Sequence, residues 1–398
     1  MRRPNFELLV GAIFLSAVGD WLALTALALH LEDTTGSGLA LSGLFVALWL
    51  PLVLFAGHAG LLVDRLDARL VLVVSSLVQA LVAAGLAFAD GLVPILVLTA
   101  VLGTANAVSQ PAEFALIPAV VPGDRLVVAN GQVETARFIG AAAGPLLGGV
   151  LAGVGGTQLP LLVDAMTFLV IAAAASVLAV TTVVAVAPDE PLGRARDGFM
   201  YLTGDRVLRL VMLVAFASLL FMTASAPAEV FFAKDVLDVG DAGFGALWTS
   251  WFVGMAIGGL ALARRVPAKA LISAALVAIV VQSLGLAIPT LWLSLAFALA
   301  FYAIGGAAHG TKNVLVRTLL HKRVPARLHG RAFAAYNGIR NGAEMVALVL
   351  GGALVVAIGA RWTLFLAGVL PAIAGLAGLV AYRRMGGRTV AEPASEPV

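Results

Sequence analysis

Long apolar runs, broken by short clusters of charge, glycine and proline, set the pattern of this chain. A spanning helix needs about 20 mainly apolar residues, because the hydrocarbon core is about 30 Å thick and a helix rises about 1.5 Å per residue. Twelve such runs are present: 6–31, 38–63, 70–89, 92–117, 127–155, 159–186, 207–232, 241–263, 268–288, 290–316, 332–358 and 361–382. Six precede the longest polar stretch and six follow it. The pattern therefore predicts an all-α membrane protein of twelve transmembrane helices in two six-helix bundles, 1–187 and 207–384. The segment 188–206 reads as a linker carrying a short surface helix near Arg196 to Thr203, and 385–398, bearing Pro and Glu, as a disordered tail.

The two halves repeat one another. Val121 to Gly149 (VPGDRLVVANGQVETARFIGAAAGPLLGG) and Val324 to Gly352 (VPARLHGRAFAAYNGIRNGAEMVALVLGG) both open on Val-Pro, place an arginine at the same step (Arg137, Arg340) and close on Gly-Gly, at a constant offset of 203 residues. Gln110 falls on Asn313 at the same offset. A self-match at half the chain length says that one unit is written twice. Duplicated hydrophobic halves are the mark of a secondary transporter, with its site where the halves meet.

Composition narrows the classes further. The chain has 398 residues, 61% hydrophobic and 12% charged, against about 25% charged in a soluble domain, so lipid is its solvent. A net charge of +3, scattered over loops, gives no nucleic-acid footprint. Without cysteine there is no disulfide, thiol chemistry or thiolate metal site. No Gly-rich phosphate loop with its Lys-Ser/Thr appears, so ATP is not the expected driver and enzyme activity is not expected. Neither a cofactor nor a metal is expected. Arg2 and Arg3 precede a run too long for a signal peptide, which reads as a retained first helix. With the N-terminus inside, 20 of the 25 basic residues fall in or beside cytoplasmic segments and only Lys234 and Arg361 outside. That bias predicts both termini cytoplasmic in a multi-pass protein of the cell (inner) membrane.

Two motifs carry mechanism. The turn after the second run reads Gly60-Leu61-Leu62-Val63-Asp64-Arg65-Leu66-Asp67-Ala68-Arg69. Gly60, Asp64, Arg65 and Arg69 suit a cytoplasmic charge latch that breaks and reforms as the halves rock; the plainer reading is a positive-inside loop with a helix-capping Asp. In the fifth run Gly140, Gly144 and Gly148 recur every four residues, with Pro145 and Gly149 beside them. A small-residue face admits another helix closely. Pro145 removes a backbone hydrogen bond and kinks the helix, which lipid tolerates if neighbours re-satisfy it.

Both motifs resemble those of the major facilitator superfamily: Gly-x-x-x-Asp-Arg-x-x-x-Arg is similar to its signature loop, and Gly-x-x-x-Gly-Pro-x-x-Gly-Gly to the antiporter motif of its drug/proton exporters. The chain departs at Asp67, where the family usually has glycine, so an altered turn is expected there. The second-half loop, Gly259 to Arg265, keeps the glycine and the basic residues and lacks the acid. Gly19-Asp20-Trp21, Asn130-Gly131 and the Val-Pro-x-x-Leu-x-Gly-Arg run ending at Arg331 are similar to the macrolide and siderophore exporters of that superfamily.

Ionisable groups inside the bilayer are expensive and usually functional. Asp20, near the middle of the first run with no basic residue close in sequence, is the leading candidate to carry a proton; the alternative is a structural acid. Glu134 lies three residues before Arg137 and is expected to pair with it, or to be freed and protonated when substrate binds. Arg340 and Glu344 repeat the arrangement. Trp21, Asn106, Gln110, Arg137, Asn313, Asn337, Arg340 and Asn341 are the expected substrate-binding residues. Glu113, His309 and Lys312 fall with Asn106, Gln110 and Asn313 in the cytoplasmic half of their helices, which is consistent with a hydrated vestibule. The alternative for Glu113 and Lys312 is to snorkel to the interface. Asp164 and Glu229 are expected as gate or interface groups. The five tryptophans other than Trp21 suit a membrane belt.

These residues, with the resemblance, imply export of small amphipathic or hydrophobic compounds, drug-like in character, by alternating access coupled to proton influx. The expected partners are the substrate, protons and membrane lipid, with the protein a monomer and no nucleic acid involved. A siderophore, lipid or native-metabolite transporter of the same fold is the alternative within the class. A non-transporting membrane sensor or scaffold is the alternative outside it.

Overall fold

The computed structural model describes residues 3–121, 125–178, 195–325 and 329–386. The described segments are helical: α1 (Arg3–Thr35), α2 (Gly38–Arg65), α3 (Ala68–Leu86), α4 (Leu92–Val120), α5 (Leu126–Gly155), α6 (Gln158–Val177), a short α7 (Ala195–Gly204), α8 (Arg206–Phe231), α9 (Gly240–Ile257), α10 (Leu271–Ala287), α11 (Leu295–Arg323) and α12 (His329–Arg384). Among them ten helices are long and apolar enough to cross a membrane. The last of the ten, Tyr336–Arg384, reverses at Gly359 (φ 79°), a left-handed conformation that glycine adopts without a Cβ penalty, and so makes two passes. α11 falls below that measure because it carries His309, Lys312 and a basic end, yet at 29 residues it is long enough to span. The twelve passes expected from the apolar runs are thus present.

Helix ends follow local chemistry. Asp67 caps α3 by accepting from the Arg69 N–H at 2.9 Å, and Asp205 caps α8 by accepting from the Val207 and Leu208 N–H groups at 2.8 and 2.9 Å. Asp67 has φ −65° and ψ 111°, ordinary for an N-cap. That conformation does not require glycine at this position. Several returns between passes are short and turn on residues of positive φ: Gly36, Gly91, Gly156, Asp238 with Gly240, and Gly359. α11 runs beyond the apolar run ending at 316 to Arg323, where long basic side chains keep the helix going outside the apolar span.

The chain divides into two compact units, Met1–Pro188 with Asp238–Thr249, and Asp189–Leu237 with Ser250–Val398. The first contains α1–α6 around a core that includes Leu9, Ile13, Leu72, Leu116 and Val133. The second contains α7, α8 and α10–α12 around Leu208, Val211, Leu276, Leu319 and Tyr382. Helix α9 is shared: its first turns fall in the first unit and the rest in the second.

Glycine seams hold each unit together. On α5, a Cβ at Gly140 would lie 2.7 Å from Ala17 Cβ, at Gly144 2.6 Å from Trp21 Cβ, and at Gly148 2.6 Å from the Leu22 carbonyl. The four-residue glycine stripe therefore sits on α1. Gly149 faces Asp241 of α9, and Gly245 of α9 faces the Pro145 carbonyl so closely that neither has room for a side chain. Next to Pro145, which lacks an N–H of its own, the Leu146 N–H donates to Thr249 Oγ1 at 3.2 Å. In the second unit Gly351 packs on Ala224 of α8 as Gly148 packs on α1, so the duplicated position keeps its packing role. Beyond Ile257, α9 widens into a π turn, Gly258–Leu262. There the Gly258 carbonyl accepts from Thr311 Oγ1 at 3.1 Å, which supplies an alternative to a regular helical bond.

Candidate functional site

Charged groups inside the apolar helices collect in one cluster per unit. In the first, Gly19 gives α6 its approach to α1: a Cβ there would fall on Asp164 Oδ1 and Thr167 Oγ1. Asp164 is fully buried, accepts from Thr167 Oγ1 at 3.3 Å, and leaves Oδ2 without a hydrogen-bond partner. Asp20, half-buried, follows Gly19 directly. Arg137 of α5 forms an ion pair with Glu113 of α4, and its guanidinium sits 5.2 Å from the centre of the Phe114 ring. The charges of Glu113 and Arg137 act on Asp20, and that of Asp20 acts on Asp164. Three acids and one guanidinium, from four helices, thus share one region of the unit.

This arrangement corrects two expectations and settles a third. Arg137 takes its acid from α4, and Glu134, the expected partner, is exposed instead. Glu113, with the interface as its alternative, is 8% exposed and makes that pair. Asp164, expected as a gate or interface group, is buried beside Asp20. The helical step that made Glu134 a neighbour of Arg137 allows a pair without requiring one, and the half-buried guanidinium pairs with the acid that is itself removed from water.

Trp21 meets Trp248 edge-on at 5.7 Å, and Phe45 stacks on Trp49 at 5.3 Å. Trp248 is buried, so it leaves the expected belt, while Trp292 and Trp362 are 67% and 56% exposed and fit it. Asn106 and Gln110 are half-buried on α4.

The second cluster is built on α8, α10, α11 and α12. Gln282 donates through Nε2 to Ser218 Oγ at 2.6 Å and faces His309 Nδ1 through Oε1 at 3.1 Å. Lys312 Nζ lies 3.4 Å from the same ring nitrogen, and Trp251 lies 5.7 Å from the ring centre. Lys312, with snorkelling as its alternative, is 5% exposed. Arg340 Nε donates to Glu344 Oε1 at 3.0 Å, as the spacing predicted. Asn313 and Asn341 are half-buried and Asn337 is exposed. Ser225 Oγ donates to Glu229 Oε1 at 2.7 Å within α8. Gln282, Ser218 and Trp251 escaped the sequence reading. Gln282 carried a signal, as the one side-chain amide in an otherwise apolar α10.

At the latch, Arg69 donates to the Ser176 carbonyl of α6. The side chains of Asp64 and Arg65, the surroundings of Gly60, and the side chain of Arg331 lie outside the described residues. In the second unit Arg323 Nη1 donates to both Asp205 carboxylate oxygens at 2.9 and 3.0 Å, and the Tyr201 hydroxyl donates to the Arg323 carbonyl at 2.8 Å, fastening α7 to α11. Among the described residues no group of His, Cys, Asp and Glu is arranged to hold a metal.

Twelve helical passes in duplicated halves, with charges enclosed in apolar helices, define a membrane transporter rather than an enzyme. The Major Facilitator Superfamily model matches residues 9–348, and the chain belongs to that family. A 167-residue stretch is 30% identical to the multidrug resistance protein MdtG of Proteus mirabilis, covering 39% of this chain and 40% of that protein. In fold the chain is similar to a bacterial homolog of the human lysosomal transporter Spinster (TM-score 0.74, 14% identity, 98% of this chain and 99% of that one). It is similar also to the nucleoside transporter NupG (TM-score 0.76, 14% identity, 96% and 100%) and to a bacterial homologue of the iron transporter ferroportin (TM-score 0.70, 13% identity, 95% and 99%).

Proposed function

We propose that the protein is a secondary exporter that moves small amphipathic or hydrophobic compounds out of the cell by alternating access, driven by proton influx. The observation that carries this is the acid cluster of the first unit. Asp20 sits in an apolar helix, in the same region as Asp164 and the Glu113–Arg137 pair, and an ionisable group within a membrane span is expensive and usually functional. Protons entering from outside load Asp20, and release to the cytoplasm resets it. One elementary charge crossing 100 mV supplies about 2.3 kcal/mol. The glycine stripe of α5 and its similarity to the antiporter motif support the direction of transport, as does the partial relationship to a multidrug resistance protein. With the basic loops inside, both termini are cytoplasmic and the latch of Gly60, Asp64, Arg65 and Arg69 lies on the inner face.

The test is proton movement in energised proteoliposomes challenged with macrolides, amphipathic cations, siderophores and lysolipids. A compound that binds the exporter should move protons when added, and that movement should vanish in Asp20→Asn. A panel that moves no protons, or full uphill transport in Asp20→Asn, overturns the reading.

A further inference from the structure

The second unit encloses a basic side chain, Lys312, for which no described residue supplies a carboxylate. Lys312 is 5% exposed on α11. Its nearest polar contact, His309 Nδ1, is already engaged by Gln282 Oε1 at 3.1 Å, and Gln282 is fixed in turn by Ser218. An ammonium has three donors, and an imidazole nitrogen takes at most one of them. Among the described residues no carboxylate stands within ion-pair distance of Lys312. The charges of Arg340 and Glu344 act on it, but Glu344 is committed to Arg340 at 3.0 Å. Among the described residues, two basic side chains and one acid therefore act on one another here. A surplus charge enclosed by apolar helices is expensive unless a counter-charge and hydrogen bonds come with it.

We infer that the second unit binds the anionic head of an amphipathic substrate, a carboxylate or a phosphate, between Lys312 and Arg340. The Arg340 side chain is 38% exposed, so it meets the head first, with Lys312 behind it. An incoming carboxylate or phosphate can share the guanidinium with Glu344, because its fork carries more donors than one carboxylate oxygen uses. Trp251, half-buried beside His309, offers apolar surface to the body of the molecule. This deepens the exporter reading and rests on it for the step of transport, while the binding itself does not depend on transport.

The experiment uses the full chain in nanodiscs of phosphatidylcholine, so that no lipid supplies a net anionic head. Four probes share one ring system: 2-naphthoate, 2-naphthyl phosphate, 2-naphthylmethylammonium and 2-naphthylmethanol. By calorimetry either anionic probe, or both, should bind at least about tenfold more tightly than the ammonium and the alcohol, as a charge-assisted hydrogen bond implies. Lys312→Gln should erase that preference and Lys312→Arg should retain it. Equal binding of all four probes, a preference for the ammonium, or an unchanged preference in folded Lys312→Gln overturns the inference. The wild-type comparison decides the matter even if Lys312→Gln does not fold. A head-group preference without proton movement in energised vesicles leaves this site standing and removes the exporter reading. Proton movement without a head-group preference does the reverse.

Discussion

Arg137 and Arg340 occupy the same position in the two copies of the repeat, yet they find their acids in different places. Arg137 reaches across to Glu113 on the neighbouring α4, whereas Arg340 uses Glu344 one turn along its own helix. Neither acid has a counterpart at the offset of 203 residues: Glu113 faces Val316, and Glu344 faces Ala141. Duplication kept the cation and the glycine packing, while the acids were placed independently in each half. One unit thereby gathers an excess of acid around Asp20 and the other an excess of base around Lys312. The same backbone frame is used for opposite chemistry.

The largest test of that contrast is functional. Asp20→Asn should lower uphill export to background in proteoliposomes while the thermal unfolding curve stays near wild type, whereas the second-unit substitution Glu344→Gln should leave measurable export.

The next effect is on stability. Arg137→Gln strands Glu113 in the interior, and breaking a buried pair from one side costs about 3–5 kcal/mol. Restoring neutrality with Glu113→Gln in the double variant should recover most of that in a denaturant titration. Arg340→Gln removes a partly exposed pair within one helix, which is worth about 0.3–0.5 kcal/mol. Equal costs at the two arginines would erase the distinction drawn between them.

Where the copies agree, substitutions should agree too. Gly148→Val and Gly351→Val each drive a side chain into the backbone of a facing helix and should cost about 1–3 kcal/mol each. Gly153→Val, with nothing within 4 Å, should cost far less. Thermal unfolding in detergent would read all three. The smallest effect is at the cap of α3: Asp67→Ala should cost about 1 kcal/mol and Asp67→Gly only a few tenths. A gain in stability from glycine would mean that the turn is strained after all.

The passes were legible because a bilayer demands long apolar runs, and the glycine stripe because its spacing marks one helix face. The pairing of charges was not. On sequence grounds Glu134 is the acid beside Arg137, and only the approach of α4 to α5 brings Glu113 to it. Asp164 looked peripheral because it lies early in its helix, and it becomes central because Gly19 leaves α6 room to bring it beside Asp20. Lys312 reads as a snorkelling candidate because nothing in the sequence reveals that it lies buried against His309.

The returns at Gly36, Gly91, Gly156, Asp238 with Gly240, and Gly359 each join an odd-numbered pass to the even-numbered one after it. Passes alternate in direction, so these bends all belong to one face of the membrane. That face offers little protruding polypeptide for an antibody, a protease or an inserted epitope to seize. Binders selected against the intact protein should therefore come mainly from the opposite face, and a reagent meant to act from the tight-turn side would have to be small enough to enter between helices.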